Sequence, residues 1–285
     1  MMKIIIHIGL HKTGTTFLQR EVFPKILKGN NYLRKSEAKK AIKNKKFDLR
    51  KINFLSEENF SNSIIKPETG WQNFSDFVEQ LNRIKNSESN ADIKIILILR
   101  NHTDYLWSAY LHELKMCRKQ SISFEEYARS FGEKGLSWSE RINALSEFDL
   151  MVIDYNELLT DSVGLIQKIL NFVGLEILDM PNFKSIKQNL TPKTQPALVA
   201  CQNFEKMYQS FNYFIKKVTG YSLPFEYTRE KMRDKIIFSA AALNPNASKL
   251  SKPELPPDLK NKFRLDWEQA WLTVNEHYRK SSNQK

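Results

Sequence analysis

The sequence predicts an α/β protein, a three-layer, P-loop-like fold with a central parallel sheet flanked by helices, and three observations carry that expectation. Short apolar runs rich in β-branched residues recur at Ile4–Ile8, Ile95–Leu99 and Leu150–Ile153, as expected of strands buried on both faces. Each run leads into a segment whose apolar residues have helical spacing, so strands and helices alternate. The first strand reaches its helix through Gly9-Leu10-His11-Lys12-Thr13-Gly14-Thr15-Thr16. In turns of this kind glycines let the backbone approach an anion, while N–H groups at the helix start point at it.

The 285 residues suffice for a sizeable core, and they predict one domain over 1–285, with a core at about 1–196 and a helical part at about 197–285. Lys and Arg number 44 against 32 Asp and Glu, a formal charge of +12. That balance suits an anionic ligand, whether nucleotide, acidic glycan, nucleic acid or membrane surface, without choosing among them. Cys117 and Cys201 lie in segments read as helical and lack metal-ligand spacing, so a reducing compartment, the cytoplasm, is expected. His7 and Gly9 interrupt the first apolar run and no small-residue cleavage site follows, which makes it a strand rather than a signal peptide. No stretch approaches the ~18 apolar residues of a membrane span, so no integral membrane segment is expected.

The lysine position decides what the first loop is suited to. A nucleotide-hydrolysing P-loop reads G-x-x-x-x-G-K-[ST]. Gly9 and Gly14 have that spacing, yet Thr15 follows Gly14 and the only lysine, Lys12, lies inside the loop. The backbone, Thr15 and Thr16 can cradle a phosphate while Lys12 meets it from the other side, an arrangement poorly built for a magnesium-bound triphosphate.

Along the chain, Thr16–Leu27 reads as the first helix, with Pro24 as a kink or end. The basic stretch Arg34–Lys46 reads as a solvated helix surface, with an acceptor-binding patch as the alternative. Lys51–Leu55 is a short apolar strand leading into Ser56-Glu57-Glu58-Asn59-Phe60. A carboxylate there sits where ligands bind in open α/β sheets. It can take a hydroxyl proton, or simply complement a helix dipole. Asn62–Gly70 reads as a loop and Trp71–Ile84 as a helix, with Trp71 in the core or lining an acceptor pocket.

The strand at Ile95–Leu99 ends in Arg100, after which Asn101-His102-Thr103-Asp104 opens a helix with Thr103 or Asp104 as its N-cap. Arg100 then stands at the carboxyl edge of the sheet and Ser108 about a turn and a half into the helix. Together they offer one anion a bidentate fork and a hydroxyl. Helices follow at Ser123–Phe131, opened by a capping box, and at Ser137–Phe148. The strand Leu150–Ile153 precedes a helix running through Phe172 and stopping near Gly174. Lys184–Pro196 is polar and basic, with Lys187 and Asn189. Ala197–Val218 reads as a long helix whose stripe Phe204, Met207, Tyr208, Phe211 and Phe214 belongs to the core. A proline-rich linker, Ser248–Pro257, leads into a Trp-rich helix, Leu259–Tyr278.

His11-Lys12-Thr13-Gly14-Thr15-Thr16 resembles the 5′-phosphosulfate-binding loop of sulfotransferases that use 3′-phosphoadenosine 5′-phosphosulfate (PAPS), especially bacterial carbohydrate sulfotransferases with H-K-T-G-T-T. Leu55–Phe60 is similar to that family's S-S-E segment, with Glu58 on the glutamate and Glu57 where a serine is more usual. Arg100, Ser108 and Tyr110 resemble its 3′-phosphate motif, with His102 in place of a proline. Tyr155-Asn156-Glu157-Leu158 and Phe172-Val173-Gly174-Leu175 resemble its Y-E-D-L and F-L-G-L segments. The likeness runs from Lys3 to about Pro196.

The resemblance implies transfer of a sulfuryl group from PAPS to an acceptor hydroxyl, a carbohydrate by preference, leaving 3′-phosphoadenosine 5′-phosphate (PAP) and using no metal. It implies Lys12 as the group that neutralises the departing oxygen and Glu58 as base, with His11 as the rival. It also implies a cofactor-binding set of His11, Lys12, Thr13, Gly14, Thr15, Thr16, Arg100 and Ser108, joined by Lys187 and Asn189 from a covering loop. A P-loop kinase or NTPase is the alternative. It requires a lysine after Gly14 and an acidic residue at a strand end for magnesium, where this chain has Thr15 and Arg100. A nucleic-acid binder explains neither motif, so no nucleic-acid partner is expected.

Overall fold

The computed structural model describes residues 2–9, 12–60, 67–87, 91–116, 122–133, 136–176, 181, 183, 195–219, 229, 232–233, 235–236 and 250–282. The strands are β1 (Met2–Ile8), β2 (Asn31–Arg34), β3 (Ile52–Glu57), β4 (Ala91–Leu99) and β5 (Asp149–Asp154). The helices are α1 (Thr15–Phe17), α2 (Phe23–Ile26), α3 (Ser36–Asn44), α4 (Pro67–Ser87), α5 (His102–Lys115), α6 (Phe124–Glu133), α7 (Trp138–Ala144), α8 (Tyr155–Thr160), α9 (Ser162–Val173), α10 (Gln195–Thr219) and α11 (Pro257–Ser282). The chain divides into two units, one of Met1–Tyr105, Arg129–Ile186 and Pro256–Lys285 and one of Leu106–Ala128 and Lys187–Leu255.

All five strands lie in the first unit and pair in parallel in the order β2-β3-β1-β4-β5. β1 and β4, the most apolar runs, take the middle, where both faces are covered. On one face Ile5, Phe54, Ile96, Ile98 and Ile153 pack with Phe17, Leu18, Val22 and Phe23 and with Leu165, Ile166, Ile169 and Leu170 of α9. On the other, Ile4, Ile6, Ile8, Leu55, Ile95, Leu97 and Leu99 are also fully buried. Each such side chain contributes about 1.5–3 kcal/mol by leaving water. β2 escapes the sequence pattern because Asn-Tyr-Leu-Arg is an edge strand, half-buried and without an apolar run.

Pro24 does not end the first helix but changes its winding. Between α1 and α2, Leu18–Val22 forms a π-helical turn in which Phe23 N–H donates to Leu18 O. The next donor would be Pro24, which has no N–H, so Gln19 O needs another partner. Tyr32 supplies it, its hydroxyl donating to Gln19 O at 3.1 Å. The widened turn also carries Gln19 to β3, where its side-chain amide donates to Ser56 O at 3.2 Å and Ser56 Oγ at 3.0 Å.

In the second unit, Ser123 and Glu126 form the expected capping box. Glu126 N–H donates to Ser123 Oγ at 3.2 Å, and Ser123 N–H to Glu126 Oε2 at 2.7 Å. α10 departs from expectation. It buries Ala197, Leu198, Cys201 and Glu205 and leaves Met207, Phe211 and Phe214 exposed. Its buried face accommodates a charge because Arg229 and Arg233 both pair with Glu205. No helix among the described residues is long and apolar enough to cross a membrane.

Candidate functional site

In a parallel sheet every strand delivers its carboxyl end to the same edge, and ligands bind there in open α/β folds. That edge carries the loop after β1, Glu57 at the end of β3 with Glu58 after it, Arg100 after β4 and Tyr155 after β5. Both loop glycines are required by the packing. Gly14 has φ 76° and caps α1, and a Cβ on it would collide with Leu158. A Cβ on Gly9 would collide with the Thr15 side chain. Lys12 itself has φ 67°, in the left-handed region that non-glycine residues seldom adopt.

Arg100 is bonded to that backbone. Its Nη1 donates to Lys12 O at 2.8 Å, and its guanidinium carbon lies 4.8 Å from the centre of the Tyr155 ring. Burial lowers the Arg100 pKa while Tyr155, Asp104 and Tyr105 raise it, and a guanidinium stays charged under these conditions. Thr13 and Thr15 are buried with their hydroxyl oxygens 3.4 Å apart, and Lys12 and Thr16 are half-buried. The loop and the end of β4 are thus in direct contact. His11, Lys187 and Asn189 lie outside the described residues.

Register pairs Ile8, the last residue of β1, with Glu57, the last of β3, so the chain turns off the sheet at Gly9 and at Glu58. Glu58 is half-buried and begins a 3₁₀ turn, Glu58–Phe60, whereas Glu57 is buried with Lys39 Nζ 3.9 Å from its carboxylate. Beneath them sits a group the sequence pattern does not reveal as part of a site. His7 Nδ1 lies 2.7 Å from Ser56 Oγ, which also receives the Gln19 amide. The signal for it is a polar residue interrupting the first apolar strand two residues before Gly9.

Burial pushes the His7 pKa down to about 3, against the pull of the Glu58 charge. Below pH 6.5 the unfolded chain takes up a proton at His7 that the folded chain refuses until about pH 3, so stability falls as pH falls through that window. The slope is about 1.4 kcal/mol per pH unit. Urea unfolding at pH 7 and pH 4.5 should therefore show the wild type losing about 2–3 kcal/mol more than His7→Gln. Equal losses would show that His7 does not stay neutral in the fold.

At the end of β4 the cap is Asn101, not Thr103 or Asp104. Asn101 O accepts from Tyr105 N at 2.8 Å and Asn101 Oδ1 from Thr103 N at 3.1 Å. His102 opens α5, and the Trp138 indole N–H donates to Arg100 O at 3.0 Å. Ser108 lies on α5, half-buried, in the portion that belongs to the second unit. Among the described residues, the first unit therefore places Lys12, Thr13, Gly14, Thr15, Thr16, Glu58 and Arg100 at one edge of the sheet.

A sulfotransferase-domain family model matches residues 3–212. Among solved structures, a sulfotransferase from Alicyclobacillus acidocaldarius is 17% identical with a TM-score of 0.42, over 77% of this chain and 96% of that one. Mouse sulfotransferase SULT7A1 complexed with PAP is 19% identical with a TM-score of 0.42, over 62% and 61% of the two chains. Retinol dehydratase in complex with androsterone and inactive cofactor PAP is 10% identical with a TM-score of 0.34, over 88% and 82%. No curated protein matches the chain by sequence. Because the family model spans the P-loop-like turn, every strand of the sheet and both strand-end motifs, the chain belongs to the sulfotransferase family.

Proposed function

We propose that the protein transfers the sulfuryl group of PAPS to a hydroxyl of a carbohydrate acceptor in the cytoplasm and releases PAP. The observation that supports this reading most is the 2.8 Å bond from Arg100 to the Lys12 carbonyl. It sets side by side the two basic residues that would meet the two ends of one nucleotide. The left-handed backbone at Lys12 and Gly14 suits a turn whose N–H groups would face the 5′-phosphosulfate.

In this reading the acceptor oxygen forms a bond to sulfur as the bond from sulfur to the bridging phosphate oxygen breaks, the three atoms roughly in line. Loop N–H groups, Thr13, Thr15 and Thr16 bind the 5′-phosphate, and Lys12 neutralises the charge that grows on the bridging oxygen. Glu58 receives the acceptor proton, with His11 as the alternative base. Arg100 takes the 3′-phosphate, and the sequence pattern adds Ser108, Lys187 and Asn189 to the cofactor-binding set. A carbohydrate acceptor is favoured by the +12 charge and by the likeness of the loop to glycan-modifying members.

PAP, ATP with magnesium and a short oligonucleotide distinguish this reading from its rivals. A ligand at a hundred times its Kd stabilises the fold by about 2.7 kcal/mol, so PAP should raise the melting temperature by several degrees while the other two leave it nearly unchanged. Stabilisation by ATP with magnesium alone would transfer the assignment to a kinase or NTPase. Labelled PAPS offered to a panel of glycans and small phenols then tests the acceptor class. Exclusive labelling of phenols would overturn the carbohydrate assignment.

A further inference from the structure

We infer that Asp266, on the last helix of the chain, is a positioning residue for Arg100, and that α11 thereby belongs to the nucleotide site although it lies beyond the residues the family model matches. The inference rests on the proposed role of Arg100 at the 3′-phosphate. Asp266 gathers three elements of the first unit. Its Oδ1 accepts from Ser137 Oγ at 2.6 Å and from Ser139 Oγ at 2.5 Å. Its Oδ2 accepts from Trp138 N–H at 2.7 Å and lies 2.8 Å from His102 Nε2. Burial opposes the Asp266 charge, but the donors at His102, Ser137, Ser139 and Trp138 outweigh it and hold its pKa well below the usual carboxylate range.

The consequence for Arg100 passes through Trp138. Asp266 fixes the Trp138 backbone, and the fully buried indole ring packs against His102, ring centres 5.0 Å apart, and nearly perpendicular to Tyr105, ring centres 5.5 Å apart. In that orientation its N–H donates to Arg100 O. Phe263, one turn before Asp266 on α11, stacks on His102 with ring centres 5.0 Å apart and planes at 14°. The main chain of Arg100 is therefore set by β4 on one side and by this assembly next to it. A proline at position 102 would stiffen the turn through its own ring. His102 has no such ring, and its contacts with Asp266, Trp138 and Phe263 fix the turn instead.

Positioning matters because Arg100 already gives one N–H to the Lys12 carbonyl, so the rest of its fork reaches a phosphate in one geometry only. The test compares PAP with 5′-AMP, which lacks the 3′-phosphate, by calorimetric titration of the full-length protein. Trp138→Phe keeps a six-membered aromatic ring in the core and removes the N–H donor together with the five-membered ring, and Asp266→Asn weakens the assembly at its source. Each should lower the preference for PAP over AMP by about three- to tenfold, with AMP affinity held within about twofold. A general loss of fold integrity would weaken both nucleotides alike, and that result, or an unchanged preference in Trp138→Phe, overturns the inference. Trp138→Phe decides the matter if Asp266→Asn does not fold. Arg100→Ala separates the two levels. If it abolishes the preference while Trp138→Phe keeps it, only the positioning role fails. If Arg100→Ala also keeps it, the assignment of Arg100 fails and takes the inference with it.

Discussion

Lys12→Ala is expected to lower kcat by about two to three orders of magnitude while changing PAP affinity by less than about tenfold. The asymmetry follows from where charge develops. The bridging oxygen carries little extra charge in bound PAPS and most of it as the sulfur bond breaks, so an ammonium beside it acts mainly in the transition state. Arg100 binds the Lys12 backbone carbonyl, a group the substitution leaves in the chain. Alanine keeps that bond, and its small side chain fits the left-handed backbone no worse than lysine does. Single-turnover rates with labelled PAPS, beside PAP titrations, check the expectation. Normal turnover would remove Lys12 from the chemistry, and a large parallel loss of PAP affinity would make it a ground-state ligand.

The parts of this fold that were legible in the sequence are those whose determinants lie close together in the chain. Ile4–Ile8 and Ile95–Leu99 announce central strands because burial on both faces demands an unbroken apolar run. Gly9 and Gly14 announce a tight strand-to-helix turn because its geometry is local. Arg100 at a strand end follows from the same kind of pattern. Asn101 was obscured as a cap by two good capping residues at 103 and 104, and the bonds from Tyr105 N to Asn101 O and from Thr103 N to Asn101 Oδ1 settle the choice.

What stayed hidden depends on partners far apart in sequence. Nothing near His7 says that Ser56 and Gln19 will meet it, and nothing near Arg100 points to Asp266. β2 was missed because one edge of an edge strand needs no apolar run. α10 shows the opposite failure. Its aromatic stripe is real, but periodicity gives only the existence of a face and not which of its residues are covered: Phe204 and Tyr208 are half-buried while Met207, Phe211 and Phe214 are exposed.

Arg100→Ala is expected to behave differently from Lys12→Ala, weakening PAP by about a hundredfold and also lowering kcat. Charge-assisted hydrogen bonds are worth about 1.5–3 kcal/mol each, and losing those to a 3′-phosphate accounts for the affinity. The second effect comes from the loop. Without the guanidinium, the Lys12 carbonyl loses its donor and the left-handed backbone at Lys12 loses the contact that holds it, so the lysine no longer meets the bridging oxygen in a fixed position. Misplacement by about 1 Å can cost about a hundredfold in rate. Arg100→Lys restores the charge but neither the planar fork nor the stacking on Tyr155, so it should recover part of the PAP affinity and little of the rate. Unchanged PAP affinity in Arg100→Ala would place the 3′-phosphate elsewhere. A loss of affinity with kcat intact would mean that the loop keeps its shape alone, and that the bond between Arg100 and Lys12 accompanies the loop conformation without maintaining it.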